Sequence, residues 1–332
     1  MEYHVYGVGN ALVDIVTEVD HDFFSRNGVE KGVMTLVDED RQHVLMKAID
    51  MKKSSMACGG SAGNTAIAVS QFGGRSWYSC LVANDELGEF FLKDLARNGV
   101  QTGLGHDACP SGHTGRCLVM TSPDADRTMN TFLGISGSLS PAHLSPDAIR
   151  QSQYIYLEGY LVTSPGGLES MLEAKQIAEK AGKKVALTLS DPNMVRFFRP
   201  QFDSVIGASV DLLFCNEEEA AMITGSKNVD EAAVRLRQVA KTFAITLGAN
   251  GALVYDGSNT IRIQPFPTRA IDTNGAGDMF AGAFLFGITH GKDFAQAGRL
   301  ASLASSRVVA QRGPRLTPEE AKTVLADLIE TP

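Results

Sequence analysis

The sequence predicts a mostly parallel α/β fold, a central sheet covered by helices on both faces with a small β region beside it, and three observations carry that reading. Short β-rich runs alternate with amphipathic helical runs along most of the 332 residues. Strands that alternate with helices need crossover connections, and crossovers lay helices over a parallel sheet. Two stretches break the alternation: residues 14 to 40 and 114 to 134 read as β structure without an intervening helix. Finally, the glycine-rich string IDTNGAGDMFAGAFLFG, residues 271 to 287, opens directly into an apolar helical run.

In chain order, strands are predicted at Tyr3 to Val8, Ser76 to Val82, Tyr154 to Leu157, Lys184 to Leu189, Asp211 to Cys215 and Phe243 to Thr246. Helices are predicted from Ala62, Glu86, Gly167, Glu217, Asp230, Ala276 and Asp293. A last helix is signed by TPEE, with Thr317 as N-cap, Pro318 in the first helical position and Glu320 closing a capping box. TGRCLVMTSPDADRTMNTFLG, residues 114 to 134, is two extended runs around the turn SPDAD, a hairpin pattern. No repeat or linker divides the chain, so residues 1–332 are expected to form one domain. A β lid is expected at approximately 14–40 and 106–135.

Composition narrows the function. Hydrophobic residues make up 44% and charged residues 20%, and the net charge is −8. An acidic chain lacks the basic face that nucleic acid requires, so a small-molecule partner is expected. No apolar run approaches the ~20 residues of a membrane span. Glu2 stands where a signal peptide is basic, and the five cysteines have no CxxC or zinc-like spacing. A cytoplasmic protein with reduced thiols follows. GVGNAL has Leu12 where a dinucleotide fingerprint needs its third glycine, and GITHGKD is one residue short of a phosphate-binding Walker loop.

The string at 271 to 287 is more informative. The first amides of a helix have no partner within it, and with the helix dipole they make an anion site. Gly275, Ala276 and Gly277 leave an approaching phosphate unobstructed, and Asp278 stands in the first turn. A carboxylate beside an oxyanion cradle suits phosphoryl transfer to an alcohol. The alternative reading is a flexible turn before a helix whose dipole favours an acid.

DTNGAGDMFAGAFL resembles the second signature of the ribokinase-like (PfkB-type) carbohydrate and nucleoside kinases, and GGSAGNTA at Gly59 to Ala66 resembles the first. NEEE at Asn216 to Glu219 and TLGANGALVYDG are similar to further elements of that family, so the likeness spans the chain. GVGNALVDI, GGSAGN, DRTM and DTNGAGD lean toward its nucleoside branch, the adenosine kinases. The resemblance implies a three-layer fold with a β lid and ATP-dependent phosphorylation of the 5′-hydroxyl of a purine nucleoside, as in purine salvage.

It also implies roles. Asp278 is the base, with the amides of Gly275, Ala276, Gly277 and Asp278 as anion hole and Arg127 closing on the phosphates. Asn10, Asp14, Gly59, Gly60 and Asn64 form the sugar site, Ser61 meets the purine, and Met129, Leu133 and Tyr160 pack on the base. Asn193, Asn216, Glu219, Thr246, Gly248, Gly251 and Asn274 border ATP. Asn216 and Glu219 hold magnesium through water, and a potassium ion near Asp272 and Thr273 is left open. Ala83 and Asn84 depart from the tail of the first signature, while DPNMVR at Asp191 to Arg196 is similar to an element of the sugar kinases. A sugar kinase and a catalytically silent binding protein therefore stand as alternatives, as do monomer and homodimer.

Overall fold

The computed structural model describes residues 2–105, 109–124 and 127–330, the side chains of Arg127 and of residues 329 and 330 excepted. Ala125 and Asp126 of the hairpin turn, and residues 106–108 of the expected lid, lie outside the described residues. In chain order the strands are β1 (Tyr3–Val8), β2 (Leu12–Glu18), β3 (Met34–Leu36), β4 (Ser55–Gly59), β5 (Ser76–Ser79), β6 (Gly115–Thr121), β7 (Arg127–Phe132), β8 (Ser152–Leu157), β9 (Lys184–Thr188), β10 (Val210–Asn216), β11 (Ala240–Thr246), β12 (Ala252–Tyr255) and β13 (Thr260–Ile263).

Eight of them form the main sheet, in the order β13-β12-β11-β10-β9-β8-β1-β5. From β5 to β11 every pairing is parallel, and β12 and β13 add an antiparallel edge. Successive residues of a strand face opposite ways, so each buried strand feeds two cores. Leu212 and Phe214 join Phe280 and Phe284 on one face, whereas Leu213 and Cys215 join Phe202 and Ile223 on the other. The first face is covered by helices Ser61–Gln71, Ala276–Thr289 and Phe294–Val309, the second by helices that include Pro165–Lys180 and Glu217–Thr224. The result is the three-layer α/β architecture the alternation predicts.

A second sheet of five strands, ordered β3-β7-β6-β2-β4, stands beside the first. β6 and β7 pair antiparallel as the hairpin pattern requires. Two expectations are corrected. Residues 14 to 40 are not free of helix: His21–Asn27 is helical, with the Asp20 carboxylate accepting the Phe23 amide and Gly28 closing the end at φ 60°. Its buried Phe23 and Phe24 are adjacent, which hides the helical period. The small sheet also draws a strand from outside that stretch, β4, whose Ser55 and Met56 are exposed.

β1 sends its chain toward β5 on one side, whereas β8 leads to β9, β10 and β11 on the other. The strand order therefore reverses between β1 and β8. In parallel α/β sheets that point, at the carboxyl ends of the strands, is where a crevice opens for ligands.

Candidate active site

Gly275 begins the site. It caps helix Ala276–Thr289 at φ 74°, and a Cβ there would come 2.1 Å from the Pro314 carbonyl oxygen. Only glycine tolerates both the left-handed turn and that approach. From Met279 to Gly287 the helix is buried on all sides, which leaves Asp278 as its polar tip. A Cβ on Gly277 would meet nothing within 4 Å, and Gly277 and Asp278 line the cavity, whereas the Ala276 amide donates to the Thr273 carbonyl at 3.3 Å.

Neighbouring side chains hold Asp278 at both oxygens. The Ser61 hydroxyl donates to Oδ1 at 2.6 Å, and Asn64 Nδ2 donates to Oδ2 at 2.9 Å. Burial raises the carboxyl pKa, opposed by these two hydrogen bonds and by the charge of Arg315. Ser61 and Asn64, expected to meet substrate, thus point to Asp278 here.

At the reversal between β1 and β8 lies a carboxylate with no counterpart in the sequence expectations. Glu158, 1% exposed, follows directly on β8. Its Oε1 accepts the amide and the side-chain Nδ2 of Asn10 at 3.2 and 3.1 Å, and its Oε2 accepts the Ala62 amide at 2.8 Å. Burial pushes its pKa up to about 7 despite those donors. Gly60, at φ 91°, lets the chain pass within contact of the Asn10 carbonyl, where a Cβ would sit 2.1 Å from the oxygen. Gly59 leaves room for the Asp14 carboxylate, 2.4 Å from where its Cβ would be. Asp14 stands mid-strand in β2, between Ala57 and Cys117.

A cavity of about 380 Å³ joins these groups. Asn10, Asp14, Gly60, Ser61, Asn64, Glu158, Asn274, Gly275, Gly277 and Asp278 line it, with Thr246, Asn216 and Glu219 at the ends of β11 and β10. The small sheet contributes an apolar wall of Leu12, Met34, Leu36, Cys117 and Met129, extended by Leu133 just after β7, and Tyr160 enters from the turn after β8. Ser190, also on the lining, is the one non-glycine among the described residues with positive φ, at 69°. Its hydroxyl accepts the Gly159 amide at 3.0 Å, which holds the turn after β8 against the turn after β9.

Some expected residues stand back from the lining. Ala276 turns away on its helix, Gly59 lies behind Asp14, and Gly248 and Gly251 shape the turn after β11. Asn193 opens helix Pro192–Phe197, its amide bonded to the Asp191 carboxylate. The side chain of Arg127 lies outside the described residues. Asn216 and Glu219 form a reciprocal cap: the Asn216 amide and Nδ2 donate to Glu219 at 2.9 and 2.8 Å, and the Glu219 amide donates back at 2.8 Å. Desolvation, with Asp191 and Glu218 nearby, pushes Glu219 up to about 7.

The family described as pfkB family carbohydrate kinase matches residues 33–321. The chain belongs to that family. Its enzymes are kinases of nucleosides and carbohydrates, with ATP as donor and typically magnesium. Adenosine kinase 1 of Arabidopsis thaliana is 27% identical over 95% of this chain and 96% of its own. The crystal structure of adenosine kinase from Sinorhizobium meliloti is similar with a TM-score of 0.90 and 35% identity, covering 97% and 99% of the two chains. A probable sugar kinase from Rhizobium etli is similar to nearly the same degree, with a TM-score of 0.90 and 34% identity over 98% and 99%.

The residues present fit an anionic, metal-bearing donor. Glycine backbone at a helix N-terminus opens onto the cavity, and Glu219 sits among acidic neighbours that a cation would offset. Among the described residues no three His, Cys, Asp or Glu side chains converge as a metal cluster. Magnesium keeps much of its water shell and does not require one. Among those residues no helix is long and apolar enough to cross a membrane.

Proposed function

We propose that the protein phosphorylates the 5′-hydroxyl of a purine nucleoside, adenosine foremost. One observation carries the reading: one cavity is lined both by Asp278 at the start of its helix and by the apolar side chains of Leu12, Met34, Leu36, Met129 and Leu133. A free sugar has nothing to set against that wall. A nucleoside uses all of it, because its flat base buries apolar surface at about 25 cal/mol per Å².

Asp14 and Asn10 take the ribose hydroxyls, a carboxylate's two oxygens suiting two vicinal donors. Asp278, fixed by Ser61 and Asn64, aligns the 5′-hydroxyl and takes its proton. The amides from Gly275 to Asp278 receive the charge that builds on the transferred group. ATP supplies that group, with magnesium held through water at Asn216 and Glu219. Thr246 and Asn274 border the donor, and the small sheet serves as a lid. The five cysteines are unpaired, which agrees with a reducing cytoplasm.

Sugar phosphorylation is the second reading, favoured by the polar floor of Asn10, Asp14 and Glu158. Against it, Arg196 of the sugar-kinase-like string is exposed and lies over Phe197, off the cavity lining. ATP consumption by the purified protein against nucleosides and sugars decides. Adenosine should exceed ribose and fructose at least about tenfold in kcat/KM, about 1.4 kcal/mol. Equal or better use of a sugar would return the chain to the sugar branch.

A further inference from the structure

Most ion pairs among the described residues are exposed, but one is largely buried at both partners. Arg315 donates to the Asp94 carboxylate at 2.7 Å, with side chains 12% and 19% exposed. Among the described residues no other ion pair has both partners below 20%. A charge withdrawn that far from water requires several partners to hold it. The other arm of the guanidinium donates to the Cys58 carbonyl, near the end of β4.

Position gives the pair its meaning. Immediately before Arg315, the carbonyl of Pro314 packs on Gly275, and the Gly313 amide donates to Asp272 at 3.0 Å. Asp272 in turn accepts the Asn274 amide at 2.8 Å. One face of residues 313–315 therefore supports the turn before Asp278, and the other grips β4. Three residues after Cys58 comes Ser61, which holds the Asp278 carboxylate. The contacts close a ring: Cys58, Ser61, Asp278, Gly275, Pro314, Arg315 and back to Cys58. Gln71 braces it from behind, donating to the Leu316 carbonyl at 2.6 Å and to Asn98 at 3.0 Å. Asn98 reaches Asp94 at 3.3 Å.

We propose that Arg315 is a positioning residue that keeps the acceptor side of the site, at the end of β4 and the Gly59 to Ser61 turn, in register with the phosphate-binding turn at Gly275. The inference rests on the reading of Asp278 as the base. The end of β4 belongs to the small sheet, whereas the Gly275 turn opens a helix packed on the main sheet; the two arms of Arg315 fix residues 313–315 to the Cys58 carbonyl and Asp94, and its neighbours Gly313 and Pro314 carry that anchorage to the turn. The same charge, close to Asp278, favours its ionised form.

Such a residue acts on alignment, so its loss reads in turnover more than in binding. Arg315→Met should lower kcat about 10²-fold, the scale of an ångström's misplacement. KM for the acceptor and for ATP should stay within about threefold. Guanidinium ion in the millimolar range should restore part of the kcat of Arg315→Ala. Where Arg315→Met does not fold, Arg315→Lys replaces it: the charge beside Asp94 stays, but one ammonium stands where a fork reached two partners. Reduced kcat in protein that is fully folded at the assay temperature supports the proposal, even where the melting temperature falls because Asp94 is left unpaired. Unchanged kcat in Arg315→Met or Arg315→Lys overturns it, as does loss of melting temperature alone. Asp278→Asn is the control: if it stays active, the base assignment fails, whereas an inactive Asp278→Asn beside a fully active Arg315→Met overturns only the positioning role.

Discussion

Asp278 and Glu158 are both carboxylates near the reversal point of the main sheet, yet their neighbours assign them different work. Asp278 receives two side-chain donors and keeps a face on the cavity, so it is held in place and can still meet a hydroxyl. Under the proposed chemistry, Asp278→Asn should lower kcat about 10²-fold or more while adenosine still binds, as steady-state kinetics and calorimetry will read. Near wild-type turnover would remove Asp278 from the base role. Glu158 instead ties Asn10 to the first turn of helix Ser61–Gln71. Its pKa rises from 4.5 to about 7 on burial, so between those values the folded protein binds more protons than the unfolded chain. Stability from this group therefore falls as pH rises from 4.5 to 7. Glu158→Gln removes that titration while opposing an amide to the Ala62 N–H. The wild-type advantage over the variant in urea unfolding should accordingly shrink across the same window. A gap that is constant with pH would show that Glu158 does not titrate there. Asp278 was legible because glycines announce it. Glu158 follows an apolar strand with no motif around it, and only the strand order reveals that the position borders the cavity.

Elements were legible where one face or both were buried. The strands at β1, β8, β9, β10 and β11 run apolar because helices cover both sides, and their predicted positions lie within or close to the observed spans. The short pieces were not: helices Pro146–Gln151 and Arg199–Ile206, strand β4, strand β12 and edge strand β13 are too brief or too exposed to show a period. The turn before helix Ala276–Thr289 was legible through its glycines, but what it packs on was not, since Pro314 is remote in sequence. Gly275→Ala tests that packing. A side chain at φ 74° costs about 1–3 kcal/mol before its clash with Pro314, so the melting temperature should drop by a few degrees and kcat should fall with it. Wild-type values for both would mean that the turn relaxes freely. Under the proposed function, the reciprocal cap of Asn216 and Glu219 would join stability to the metal in the same way. Glu219→Ala should raise the magnesium concentration needed for activity and lower stability by about 1 kcal/mol, leaving adenosine affinity nearly unchanged. An unaltered magnesium titration would leave Glu219 as a helix cap alone.

The whole molecule is two sheets with one cavity between them, and a ligand that touches both should bind the folded state in proportion to what it reaches on each. Under the proposed function, ribose would engage Asn10 and Asp14 but leave the wall of Met34, Leu36, Met129 and Leu133 without a partner. Adenosine would place its sugar on the first set and its base against the second. At a hundred times its Kd, adenosine stabilises the fold by about 2.7 kcal/mol through mass action alone. For a chain of this length the entropy of unfolding is about 0.7 kcal/mol per kelvin, so the melting temperature should rise by about 4 °C. Ribose binding tenfold more weakly, at the same concentration, contributes about 1.4 kcal/mol and about 2 °C. Thermal melts of the full chain with each ligand will separate the two. If, as proposed, only the nucleoside spans the cavity, Tyr160→Ala or Met129→Ala should erode the adenosine shift and leave the ribose shift in place. Equal shifts for the two ligands, or erosion of both together, would mean that the apolar wall contributes no recognition and that the sugar floor alone selects the substrate.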